Sequence, residues 1–294
     1  MRYILQRDRE NELLELSEDI AAESNATGRV CPTQICTAKE IKIVHDAFGV
    51  GKFDGMLVYR KGKWVILCNS DNGNAPGSTR ERFTISHELG HYHIPEHRRQ
   101  LLAGCPSHGS FAGAFDGADS IEELEADIFA ANLLMPPARF ISRIRAMGQL
   151  PLQSILKLRK EFDTSLESTA IQAMRHDDRI LAIAKWNSDG LEWHRIADPF
   201  FKEFRYRRFQ MRDLDKLPRD SATAKALADS ESQYNGTVHD TLATTSFCFD
   251  YVALGGNRDI LLREQAVRNG RFGVVTIYSI LNLEDIHKKT GVSR

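Results

Sequence analysis

The chain runs to 294 residues with 42% hydrophobic and 27% charged side chains, a globular mix that excludes a disordered chain, a collagen-like fibre and a coiled coil, and its length favours two domains. Thirty-nine basic residues against 40 acidic ones leave a net charge of −1, so any contact with nucleic acid or a membrane surface must come from a local patch. No stretch approaches the roughly 20 apolar residues of a bilayer span, and the charged start MRYILQRDRENELLEL lacks the apolar run of a signal peptide, which points to the cytoplasm and away from a membrane.

In chain order, residues 8–23 and 38–48 have helical composition and are separated by a break at Gly28 and Pro32. The segment from Met56 to Asn69 alternates as two strands around Lys61-Gly62, and the polar run SDNGNAPG ends them. Ser78 with Glu81 three residues on forms a capping box, predicting a helix from Thr79 to Ile94 that Pro95 closes. LLAGCPSHGSFAGAFDGAD carries four glycines in nineteen residues and reads as a long loop, the kind that tends to serve function. A second capping box, Ser120 to Glu123, opens a helix that stops at Pro136-Pro137. Residues 151–175 read as two short helices around Asp163-Thr164, helix-turn-helix-like in outline, although helical hairpins that only pack are far commoner. From Ile180 the texture changes to strands: ILAIAKWNSDGLEWHRI as a hairpin, then SFCFDYVAL and FGVVTIYSIL. The expected division is residues 1–178 and a strand-rich domain over 179–294. Five cysteines (Cys31, Cys36, Cys68, Cys105, Cys248) without a CxxC support neither a disulfide framework nor a four-cysteine zinc site, and Cys31 and Cys36 read as packing residues.

His87-Glu88-Leu89-Gly90-His91 is HExxH on a predicted helix. Histidines at i and i+4 share a face one turn apart, as a tetrahedral Zn²⁺ needs, and Glu88 stands beside them to take a proton from water. A catalytic zinc takes a third protein ligand and keeps one position open. Cys105, His108, Glu122, Glu123 and Glu125 are the candidates. Glu123 and Asp127 lie four apart on one helix face, so one carboxylate can reach the metal while Asp127 accepts the N–H of a ligating histidine. Glu125 points about 200° round the helix from Glu123 and is the main rival.

RFTISHELGH followed by EELEADIFAANLLMP resembles the ImmA/IrrE family of zinc metallopeptidases, whose pattern is RFTxAHELGH and then ExxAxxFAxxLLMP; FDGMLVYRKGKWVILCN fits the same family's lead-in. The likeness covers roughly residues 40 to 175, with Ser86 in place of the usual alanine and a longer 36-residue interval from His87 to Glu123. It implies a zincin-like metallopeptidase domain; with the helical pair and the strand texture from Ile180 on, the expected fold is α+β, that domain with a helical extension followed by a smaller strand-rich α+β domain of sensor type. It implies His87, His91 and Glu123 as Zn²⁺ ligands and Glu88 as the catalytic base. It further implies cleavage of a helix-turn-helix repressor to release transcription, in a stress response or in the branch that regulates phage-defence operons.

Three further features carry expectations. The run Phe200-Phe201-Lys202-Glu203-Phe204-Arg205-Tyr206-Arg207-Arg208-Phe209 interleaves aromatic and basic residues. It suits stacking on single-stranded DNA as an effector, through Lys202, Arg205, Arg207 and Arg208, or a partly buried element with snorkelling arginines. His93, His97 and His108 flank the metal site and read as surface histidines. Cys105, on the glycine-rich loop, is placed to fill the open zinc position with its thiolate and hold the enzyme inactive until a signal arrives, similar to the cysteine switch of matrix metalloproteinase proenzymes; a packed loop thiol is the alternative. The chain thus reads as a regulated zinc endopeptidase, and alternatively as a non-proteolytic zinc-containing regulator that binds DNA or a repressor.

Overall fold

In the computed structural model the charged N-terminal run folds as α1 (Arg7–Glu23), which buries Leu13, Ser17, Ile20 and Ala21, the one-sided spacing of an amphipathic helix. The described residues are 5–24, 28–104, 110, 120–148, 151–197, 206–209, 214–232, 236–244, 249–251 and 261–281. They fall into two units, residues 1–143 with 159–168, and residues 144–158 with 169–294.

In the first unit, α2 (Pro32–Ala38) starts with proline in its first turn, where the missing N–H costs nothing. The helix expected over 38–48 is not formed. α2 ends at Ala38, and β1 (Lys42–Asp46) takes the residues that follow. The stop is a Schellman turn built without glycine: Glu40 adopts φ 56°, the Ile41 amide reaches the Cys36 carbonyl at 2.8 Å and the Glu40 amide reaches that of Thr37 at 3.2 Å. The β-branched pair Ile43 and Val44 then pairs in parallel with Ile66 and Leu67.

The hairpin forms where its alternation placed it. β2 (Gly55–Arg60) and β3 (Lys63–Asn69) are antiparallel, and Lys61 (φ 51°) and Gly62 (φ 77°) supply the paired left-handed residues of a tight turn. The sheet order is β1-β3-β2, which leaves β2 on an edge. Ser78 caps α3 (Thr79–His93) by accepting from the Glu81 amide at 3.1 Å. Glu81 does not close the box on Ser78; its carboxylate takes the Gly77 amide at 2.5 Å and His45 Nε2, on β1, at 2.6 Å. α4 (Pro95–Leu102) follows at once. Ser120 caps α5 (Ile121–Leu134) through the Glu123 amide at 3.3 Å.

α3 lies against β2, β3 and α5, and α1 packs on α5. Leu13, Ile35, Leu57, Ile66, Ile85, Leu89 and Phe129 share the resulting core. Cys36 and Cys68 are buried in it, and burial pushes both thiols up to about 12, so they pack and do not react. α6 (Pro137–Met147), α7 (Leu152–Phe162) and α8 (Leu166–His176) each have residues in both units. α7 and α8 turn at Asp163, which takes φ 55°.

The second unit holds an antiparallel sheet ordered β5-β4-β10-β9-β7, built from β4 (Ile180–Asn187), β5 (Gly190–Ile196), β7 (His239–Thr244), β9 (Leu261–Arg268) and β10 (Val274–Ile280). A short pair, β6 (Tyr206–Phe209) with β8 (Phe249–Tyr251), stands apart from it in hydrogen bonding. α9 (Ala222–Ala228) covers β9, β10 and β7, and Trp186, Tyr278, Leu262 and Ala226 lie in the core between them. The N-terminal amides of α9 at Ala222 and Thr223 both bond the buried Glu264 carboxylate at 3.2 Å, and the hydroxyls of Thr223 (2.6 Å) and Thr241 (2.9 Å) complete its shell. The fold is α+β, a mostly helical part with a three-stranded sheet and a strand-rich C-terminal part. Among the described residues no helix is long and apolar enough to cross a membrane.

Candidate metal centre

Two close approaches set the site. Gly90, inside HExxH, lets α3 meet α5: a Cβ there would stand 3.1 Å from the Ala126 Cα and 3.2 Å from the Phe129 ring. Gly55 does the same between α3 and β2, where a Cβ would lie 2.5 Å from Thr84 Cγ2 and 2.7 Å from Glu88 Oε1. The first closure brings Glu123 to the histidines, and the second seats Glu88 against the sheet edge.

His87, His91 and Glu123 converge. His87 Nε2 lies 3.1 Å from His91 Nε2 and 3.1 Å from Glu123 Oε2, and His91 Nε2 is 3.3 Å from Glu123 Oε1. Ligands about 2.0 Å from a tetrahedral ion are about 3.3 Å apart, so the three atoms already stand at coordinating separation. The donor set also fits a cation chemically. Asp127 Oδ1 sits 2.9 Å from His87 Nδ1, and a carboxylate can only accept, so Nδ1 carries a proton; Glu123 Oε2 makes the same demand of Nε2, so the metal-free ring holds both protons and a bound cation would take the place of the one on Nε2. Two imidazoles and a carboxylate crowded together call for a positive charge between them. The same crowding moves the ionisations: burial opposes charge on His87, but its bonds to Asp127 and Glu123 prevail and raise its pKa well above 6.5. Burial likewise works against an ionised Glu123, yet the two imidazoles hold it far below the usual carboxylate range.

Glu88 is buried on α3. Its Oε1 accepts the Ser110 hydroxyl at 2.5 Å, while Oε2 is buried with no hydrogen-bond partner among the described residues. Burial raises its pKa against the pull of His87 and His91, which keeps the carboxyl basic enough to accept a proton. Ser110 is itself paired with the β2 edge: its amide bonds the Gly55 carbonyl at 2.9 Å and its carbonyl takes the Asp54 amide at 2.7 Å.

The other sequence candidates divide. Glu125 faces away from the three ligand atoms, taking Arg9 Nε and Nη2 at 2.8 Å each and His97 Nε2 at 3.0 Å. His97 is not a surface histidine; it is 3% exposed, with Nδ1 3.2 Å from His91 Nδ1, because the turn at Ile94-Pro95 folds α4 back toward α3. Burial, together with the neighbouring His91, lowers its pKa to about 4, so the ring is neutral. His93 stacks on Phe129, and burial holds it too at about 4. Glu122 does not join the cluster. Cys105, His108, Lys202 and Arg205 lie outside the described residues; Arg207 and Arg208 are on β6, paired with β8. Sequence reasoning missed Arg9 and Ser110, and set His97 beside the site but on the surface. Their intervals from HExxH fit no helical or strand repeat, so no local pattern signals them.

Residues 36–174 match the family described as the IrrE N-terminal-like domain, Peptidase_M78. Among solved structures, a Mycobacterium tuberculosis transcriptional regulator is similar in fold, with a TM-score of 0.55 at 15% identity over 98% of this chain and 96% of that one. Among curated proteins none matches the chain.

Proposed function

We propose, for a chain whose residues 36–174 match the IrrE N-terminal-like domain, a zinc endopeptidase that cleaves a partner helix-turn-helix repressor and so relieves repression. The metallopeptidase domain spans residues 1–178, and the strand-rich domain over 179–294 carries the signal. The observation that supports catalysis over a structural zinc site is Glu88, a buried carboxylate beside the ligand group whose Oε2 has no partner among the described residues. A structural site closes with four protein ligands and needs no base next to it.

His87, His91 and Glu123 hold the ion. When bound there, Zn²⁺ supplies Lewis acidity toward water and the scissile carbonyl. Asp127 keeps the His87 lone pair on Nε2 by accepting from Nδ1–H. Glu88 takes the proton of the attacking water on its free oxygen and delivers it to the leaving amine nitrogen, so no covalent intermediate forms on the protein.

The enzyme is quiet until a signal arrives. In support, Ser110 occupies both the amide-accepting carbonyl of Gly55 on the edge strand and one oxygen of Glu88, positions a substrate backbone and a water would otherwise meet. Single-stranded DNA is the candidate effector, through the run from Phe200 to Phe209.

The test is co-incubation of the full chain with the repressor encoded beside its gene, with zinc present, with and without single-stranded DNA. Cleavage by the wild type and none by folded, zinc-loaded Glu88→Gln is expected. Repressor or DNA binding with no cleavage by either protein would replace the peptidase with a non-proteolytic regulator.

A further inference from the structure

His91 presents Nε2 to the ligand group, so its lone pair belongs there and its proton on Nδ1. Nδ1 lies 3.2 Å from His97 Nδ1. That atom must therefore accept, which puts the His97 proton on Nε2. His97 Nε2 lies 3.0 Å from Glu125 Oε2, which can only accept, and Glu125 takes two N–H groups of Arg9 at 2.8 Å each. A single placement of ring protons satisfies every bond in this row. Reversing the His97 tautomer would set two N–H groups against each other at His91 and a lone pair against the Glu125 carboxylate. The groups are sheltered from competing water: the side chains of His97 and Glu125 are 3% and 8% exposed.

We propose that His97 is a positioning residue for His91, fixing its tautomer and ring plane by accepting from Nδ1, with Glu125 and Arg9 holding His97 in turn. The inference rests on the proposed function, in which His91 binds the metal through Nε2. It gives α1 and α4 a part in the metal centre although neither supplies a ligand. It also gives Glu125 a role at the site from the side opposite Glu123.

Zinc affinity of the full chain, measured by competition with a chromogenic chelator, separates the possibilities. His97→Phe keeps a ring and removes the acceptor, and should weaken zinc binding on the order of 10- to 100-fold. His97→Gln, whose amide oxygen can accept from Nδ1–H, should recover most of that loss. His93→Phe, a neighbouring ring outside the row, should bind zinc as the wild type does. Long-range ¹⁵N–¹H spectra of the zinc-loaded wild type should show His97 neutral with its proton on Nε2 and His91 protonated on Nδ1, a measurement that needs no variant to fold. Undiminished affinity in His97→Phe, or a His97 proton on Nδ1, would overturn the proposal. His91→Ala separates the two levels: if it keeps zinc the ligand assignment itself falls, and if it loses zinc while His97→Phe does not, only the positioning role falls.

Discussion

Two of the buried glutamates, Glu88 in the first unit and Glu264 in the second, have opposite surroundings. Glu264 has every partner it can use: two helix amides and two threonine hydroxyls saturate both oxygens. Glu88 has one hydroxyl on Oε1 and, among the described residues, nothing on Oε2. A buried carboxylate left half satisfied costs stability, and a fold retains such a group where the spare oxygen has work to do. Saturation marks Glu264 as part of the framework that starts α9, and in the proposed function the open oxygen of Glu88 is the one that accepts the proton.

The same substitution at both positions should therefore have opposite effects. Glu88→Gln should lower the cleavage rate by about 10²- to 10⁴-fold with zinc content and melting temperature close to wild type, measured by repressor cleavage and by metal analysis. Glu264→Gln turns amide N–H groups toward amide donors and should cost about 2–3 kcal/mol, read as a lowered denaturant midpoint, while zinc content holds. Stability lost in Glu88→Gln and kept in Glu264→Gln would reverse the two roles. Gly55→Ala tests the seat of Glu88 directly. The added Cβ meets Thr84 and Glu88, so a loss of about 1–3 kcal/mol from overpacking is expected, with reduced cleavage; an unchanged enzyme would show that Glu88 is not held by the strand.

The smallest effect is a pH dependence. In the metal-free protein, burial raises the Glu88 pKa above 4.5. A raised folded-state pKa means stability that is fully present below the unfolded value and lost as pH rises through the folded one. Metal-free wild type should fall slightly behind metal-free Glu88→Gln as pH rises, and the two should converge below about pH 4. Parallel denaturant midpoints across that range would show that Glu88 keeps an ordinary pKa.

The ligand group was legible because it is written in helical spacing. His87 and His91, then Glu123 and Asp127, are each four apart, and both capping serines sit where the helices begin. The Lys61-Gly62 turn was legible because both residues take left-handed backbone. Two kinds of feature were not. The helix expected over 38–48 falls on the end of α2 and on β1, because the turn between them uses Glu40 where glycine is usual and no breaker marks it. The support of His91 comes from α1, α4 and α5, and contacts between distant elements leave no period in the sequence. β7 and β9 went unread for a related reason: LLREQAVR buries polar Glu264 and Gln265 and breaks the alternation that would have announced a strand.

The capping of α3 has a further consequence, one of phase. Ser78, Gly77 and His45 fix where the helix starts and which way its first turn faces, and His87 follows Ser78 by nine residues, about 2.5 turns. Each residue added or removed in that interval would rotate everything beyond it by about 100°. A single deletion would aim Glu88 and both imidazoles away from Glu123 with every side chain still present. The count of residues between the cap and the first histidine is thus fixed by geometry as the choice of histidine is by chemistry, and α3 works as an indexed shaft: clamped at one end, it sets the angle at which its other end presents His87, Glu88 and His91 to Glu123.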